Sequence, residues 1–167
     1  MRIFPRTILL SAVALLGVGC ATQMQTATTS PTKRICKVRT TAYTCTETGG
    51  RRNAVGSRLS SKDVKSAAAD WSRWPLGTKF RIVGTDEVFQ VDDYGSALIG
   101  TGTIDLYKTN RLAMNKWGVR RVDIDVIEWG SAERSLEVLA PRAHNPKVRA
   151  MILALSKKPG AENPVRF

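Results

Sequence analysis

Two aspartates sit where a carboxyl group could do acid–base work. Asp105 stands between Ile104 and Leu106, so strand alternation turns its carboxyl away from two apolar neighbours. Asp93 precedes Tyr94-Gly95, and Asp close to Gly is common turn chemistry, so taken alone it reads as a turn residue. Taken alone, an isolated strand Asp such as Asp105 is most often solvated. A carboxyl that does acid–base work must hold a proton near neutral pH, and burial beside a second carboxylate raises its pKa by disfavouring the charged form. Other acids carry less. Alternation sends Asp92 opposite to Asp93 and into solvent, and Asp123 and Asp125 share what reads as a polar outer strand face. His144 reads as a surface residue. No cofactor is indicated, and proton transfer needs none. Cys36 and Cys45, nine positions apart with no His near them, make a poor metal signal, so no metal is expected.

The elements that must position these carboxyls read mainly as strands. Residues 36–43, 79–83, 88–91 and 122–126 are rich in β-formers or alternate, and Gly49-Gly50, Pro75-Leu76-Gly77 and Gly84-Thr85-Asp86 supply turns. One short helix is expected over 110–117, capped by Thr109 and ended by Gly118, with Ala113 and Trp117 on one face. Residues 61–70 offer a helical turn that pattern alone does not decide. Short strands at this spacing predict an all-β fold, a small closed barrel of one domain. Beyond Trp129-Gly130 the chain turns polar, apart from Leu136–Leu139 and the helical spacing of Val148, Ile152 and Leu155, and reads as a C-terminal extension over 131–167.

The chain of 167 residues carries 26 Lys and Arg against 14 Asp and Glu, a formal charge of +12. Such a surface favours polyanions or anionic membranes. The basic residues are scattered rather than gathered into a recognition helix or run, which argues against nucleic acid. Arg2 and Arg6 precede an apolar stretch, 7–19, too short to span a membrane and of the length of an export signal. It ends in Leu16-Gly17-Val18-Gly19-Cys20, which resembles a lipoprotein signal with Cys20 as the lipidated first mature residue. The alternative is ordinary cleavage after Ala21. Residues 20–34, rich in Thr, Ser and Gln, read as a tether. The expectation is an exported protein of the cell envelope, outer-membrane-anchored by lipid and facing the periplasm. In that compartment Cys36 and Cys45 can form a disulfide.

The segment from Val91 to Tyr107 resembles the 3D domain, a family named for three aspartates. Asp93, Gly95, Ser96, Ala97, Gly100 and Ile104-Asp105-Leu106 fill its pattern, and upstream Ala68-Ala69-Asp70, Pro75-Leu76-Gly77-Thr78 and Thr41-Ala42-Tyr43 match its earlier motifs. The resemblance covers about residues 39–129. The interval from Asp93 to Asp105 is one residue longer than the family's usual form, an excess that either bulges outward in the 98–103 loop or alters the carboxylate spacing. Trp71 replaces the usual Pro, and the clustered cysteines are reduced to Cys45.

The resemblance implies a six-stranded double-psi β-barrel over 35–130, like that of membrane-bound lytic transglycosylase A, which cuts peptidoglycan glycan strands between N-acetylmuramic acid and N-acetylglucosamine. It implies Asp105 as acid and base, with Asp93 and Asp70 lining the same cleft. Gly95, Ser96 and Gly100 fall to the substrate surface. Trp71 and Trp74 flank the Asp70 turn and either stack on sugar rings or pack beneath the loop. A monomer is expected. The competing expectation is a non-catalytic peptidoglycan-binding or scaffolding lipoprotein.

Overall fold

The computed structural model describes residues 33–47 and 50–157. Six strands run through this span: β1 (Lys33–Tyr43), β2 (Val64–Ala69), β3 (Lys79–Ile82), β4 (Val88–Asp93), β5 (Ile104–Tyr107) and β6 (Arg120–Glu128). They close into a barrel in the order β1-β5-β2-β4-β3-β6, with β6 returning to β1. The small all-β barrel read from the sequence is therefore present. The β1/β5 and β2/β4 pairs are parallel, and the remaining contacts are antiparallel.

Alternation decides what fills the barrel. Phe80 and Ile82 of β3, Phe89 and Val91 of β4, Ile104 and Leu106 of β5, and Ile124 of β6 are at most 1% exposed. Phe80 and Phe89, opposite each other in the ladder, stack with centroids 5.8 Å apart. Burying each such side chain contributes about 1.5–3 kcal/mol. The undecided segment resolves as β2, whose Ala67, Ala68 and Ala69 have little strand preference of their own. Tertiary context holds it extended, hydrogen-bonded to β4 on one side and β5 on the other.

Three expectations are corrected here. The tether does not reach Arg34, because Lys33 and Arg34 already pair with Val126 and Asp125 in β1, and Arg34 donates to Asp125 at 2.8 and 3.0 Å. The rest of the tether, the export signal and Cys20 lie outside the described residues. Helix α1 (Arg111–Trp117) is capped by Asn110, not Thr109. The Asn110 backbone is extended and its Oδ1 accepts the Ala113 N–H at 2.9 Å, a role for which Asn is at least as good as Thr. Gly118 ends the helix as expected. Finally, Cys36 and Cys45 are both free. Cys36 sits early in β1 and Cys45 beyond its far end, so the strand between them holds them roughly 20 Å apart at ~3.3 Å per residue. A disulfide needs Cα atoms within about 7 Å.

The barrel is not the whole core. Helix α2 (Ala132–Leu139), a single 3₁₀ turn (Ala140–Arg142) and helix α3 (Pro146–Ser156) follow β6; α3 matches the helical spacing of Val148, Ile152 and Leu155, and α2 was not expected. Leu136, Leu139, Val148, Met151, Ile152 and Leu155 belong to the same buried cluster as the barrel residues. Ser131 caps α2, and buried Ser135 accepts the Leu76 N–H at 2.9 Å. Met151 Sδ accepts the Trp71 N–H at 3.2 Å. Met151→Ala should destabilise the fold by about 3 kcal/mol, a cavity cost characteristic of a core position. Urea unfolding would check this, and a loss within about 0.5 kcal/mol would mean that the C-terminal segment is a mere appendage.

Candidate active site

The strand register builds the site. Ala68 of β2 lies opposite Asp105 of β5 on one side and opposite Asp93 of β4 on the other, and Asp105 lies opposite Thr41 of β1. Asp93 and Asp105 therefore stand two strands apart, with backbones about 10 Å apart at the usual strand spacing. Between them is only the methyl group of Ala68. Side chains in one row of adjacent strands share a face, so both carboxyls lie on the side opposite the interior residues Ala67, Ile104 and Leu106.

Asp93 reaches that face through a bulge. Ala67 pairs with Val91, but Ala68 pairs with Asp93, so Asp92 is the extra residue on β4. Without it, Asp93 would follow Phe89 and Val91 into the barrel. Bulges re-aim side chains in this way. The bulge also overturns the expectation for Asp92, which is half-buried rather than solvated. Its Oδ2 accepts from Ser66 Oγ at 2.6 Å and Asn53 Nδ2 at 2.9 Å. Asp93 and Asp105 are both registered to Ala68, and the loop from Tyr94 to Thr103 between them holds two turns, closed by Leu98 N–H to Gly95 O and Thr101 N–H to Leu98 O.

The two carboxyls open on a cleft of about 320 Å³ that also includes Tyr43, Glu47, Tyr94, Gly95, Ser96 and Leu98. Gly95 and Ser96 thus line it as expected. Asp105 Oδ1 accepts the Thr41 hydroxyl at 2.6 Å. Burial raises the Asp105 pKa, the Thr41 hydrogen bond opposes it, and Glu47 adds to the rise. Burial pushes Asp93 up to about 6, against a hydrogen bond from its neighbour Tyr94 N–H at 2.9 Å, and the charge of Asp92 pushes the same way as burial. Tyr43 is raised as well, first by burial and then by the three nearby aspartates. Its hydroxyl is buried without a partner among the described residues.

Among the described residues, no three His, Cys, Asp or Glu side chains converge as a metal site. No protein-family model matches the chain, and no curated protein matches it. The site is known by its residues and their geometry.

Asp70 does not join the pair. It is 2% exposed, and its carboxylate serves as a bracket: Oδ1 accepts the Ser72 N–H and Oδ2 the Gly100 N–H, each at 2.8 Å. It closes its own turn and pins the loop that leads from Asp93 to Asp105. Gly100 stands outside the cleft and supplies the left-handed backbone (φ +84°) of that pinned turn. Trp71 and Trp74 are also structural. The Arg73 and Trp74 amides both donate to Asp70 O, and this helical turn points both indoles inward at i and i+3. Trp71 is fully buried and its Nε1 donates to Asp93 O at 2.8 Å, while Trp74 stacks on Trp129. Neither presents a face to the cleft.

Sequence reading missed Thr41 and Glu47 as partners of Asp105, Ala68 as the spacer, and Arg142. The guanidinium of Arg142 lies over the Tyr94 ring and donates to Ala54 O at 2.7 Å. Thr41-Ala42-Tyr43 was visible as a motif, but only the parallel β1/β5 pairing shows that Thr41 meets Asp105.

The raised pKa of Asp93 is a stability statement. From an unfolded value of 3.8 to about 6, the folded state binds the proton more tightly, so stability is lost as pH rises across that interval. The loss amounts to about 3 kcal/mol by pH 7. Asp93→Asn keeps an acceptor for Tyr94 N–H and removes the charge. It should raise Tm by several degrees at pH 7.5 and by little at pH 4, as read by calorimetry; equal shifts at both would contradict the assigned burial cost.

Proposed function

We propose that the cleft cleaves peptidoglycan glycan strands as a lytic transglycosylase, on a double-psi-type barrel exported to the cell envelope and held there by lipid on Cys20. The observation that carries this reading is the placement of Asp93 and Asp105 in one row on either side of Ala68, at an open cleft, with both carboxyls biased toward holding a proton. The resemblance to the 3D domain supports the substrate class.

Asp105 donates its proton to the glycosidic oxygen as the C1–O bond breaks. Asp93, on the other side of Ala68, stabilises the positive charge that develops on the sugar ring. The Asp105 carboxylate then takes the proton of the sugar's own C6 hydroxyl as that oxygen closes on C1. The product is a 1,6-anhydro ring, no water is consumed, and Asp105 ends protonated as it began. A single acid–base group suffices, so the two-carboxylate spacing of hydrolytic glycosidases is not required. The Thr41 hydroxyl orients Asp105 and becomes the stronger donor to it once the proton has left.

Purified mature protein incubated with murein sacculi should release anhydromuropeptides detectable by mass spectrometry. Asp105→Asn should lower the rate by about 10³-fold, and Asp93→Asn by about 10–100-fold. Wild type that binds sacculi and releases nothing, with binding retained in Asp105→Asn, would make this a binding barrel instead.

Burial holds the Asp105 pKa above its ordinary value, so the protonated donor persists to higher pH than a free carboxyl and is then lost as pH rises. Release should therefore fall as pH rises through neutrality, because the proton donor is progressively lost. A rate that climbs through neutrality would exclude a carboxylic acid as the donor.

A further inference from the structure

A second cleft, of about 220 Å³, opens between the start of β1, the 71–74 turn, the 101–102 loop and β6. Its charged residues are Lys37, Arg39, Arg73 and Arg121, with no carboxylate among those that line it. Among the described residues, none of the four is in a salt bridge. Gathering four like charges around one concavity costs repulsion that scattered surface cations avoid. An anion bound there would relieve it.

All four side chains are exposed, and two of them are hydrogen-bonded in place. Arg39 Nη1 donates to Thr103 Oγ1 at 3.0 Å, and Arg121 Nη1 donates to Lys37 O at 3.1 Å, each leaving further N–H groups unused. The Arg73 guanidinium rests against Gly102 so closely that a Cβ there would lie 2.5 Å from Nη1, and Gly102 itself is left-handed (φ +70°). Lys37 is the single non-glycine residue at positive φ (56°) among the described residues. It sits in the β1 bulge between Ile35 and Val38, and its N–H donates to Asp123 Oδ1 at 2.8 Å. Backbone strain of this kind persists only where surrounding structure enforces it, and it concentrates at binding sites. The guanidiniums of Arg39 and Arg121, already bonded, lose little freedom on binding, and all three arginines match tetrahedral oxyanions through forked donors.

We propose that this cleft binds a phosphoryl oxyanion, with Arg73 and Arg121 as its principal donors and Lys37 and Arg39 completing the charge. A phosphoryl group fits better than a single carboxylate, because it has more acceptor oxygens to meet donors arriving from β1, the turn and β6. The site is separate from the Asp93–Asp105 cleft and needs no glycan cleavage to operate.

Isothermal titration of the mature protein with inorganic phosphate, a glycerol phosphodiester and acetate, at fixed ionic strength, tests this directly. The expected result is saturable one-site binding of a phosphoryl compound, weakened about tenfold in Arg73→Gln and in Arg121→Gln, unchanged in Arg149→Gln on the exposed face of α3, and about tenfold weaker for acetate. Phosphodiester binding as tight as that of phosphate assigns the ligand to a polymer, and binding of inorganic phosphate alone assigns it to the free ion. Either sustains the site. No saturable binding, equal affinity for acetate, or wild-type affinity in both arginine variants overturns it. Because binding is read and not cleavage, the result is independent of the sacculus assay.

Discussion

One added residue in β4 organises the candidate active site. The bulge at Asp92 breaks the match between β2 and β4 after Ala67 and Val91, so the next pair is Ala68 with Asp93. A strand side chain that slips by one position changes face. Asp93 thereby leaves the row of Phe89 and Val91, which fills the barrel, and joins Asp105 and Thr41 on the outer face. The displaced Asp92 is held by Ser66 and Asn53, so the bulge is fixed by hydrogen bonds rather than merely tolerated.

The rest of the molecule holds that face rigid. Asp70 clasps Ser72 and Gly100, Trp71 reaches from the same turn to the carbonyl of Asp93, and Met151 of α3 accepts the amide of Trp71. A chain of contacts therefore runs from the C-terminal helix to the backbone of a cleft carboxylate. Arg142 adds a second route, through Ala54 and the Tyr94 ring. The helices after β6 complete the core and support the site. Positioning of this kind is what proton transfer requires, since a small displacement of a donor costs rate.

Charge is arranged unevenly over this framework. The cleft carboxyls are half-buried and resist ionisation, whereas the neighbouring cleft collects cations without acids. Arg39 of the basic cleft is bonded to Thr103, two residues before Asp105, and its charge favours the ionised form of that carboxyl. The basic excess of the chain is thus partly concentrated at one place, although in sequence these residues lie scattered from position 37 to 121.

The sequence by itself determined the closed all-β barrel and α1 with its Gly118 stop, and a resemblance within it singled out Asp70, Asp93 and Asp105 as the carboxyls to watch. These features depend on local alternation, turn residues and a motif within one short stretch of chain. Tertiary structure alone decided the rest. Asp70 carries the same carboxyl as its two companions, and only its burial against two backbone amides makes it a bracket instead of a site residue. Trp71 and Trp74 were equally ready to meet a sugar or a core until the turn at Asp70 directed both inward. Residues 64–69 became a strand through their neighbours on either side, and Cys36 and Cys45 were separated by the length of β1. The physical reason is the same in each case. Side-chain type is local, but register, burial and distance belong to chain segments that meet only when the barrel closes.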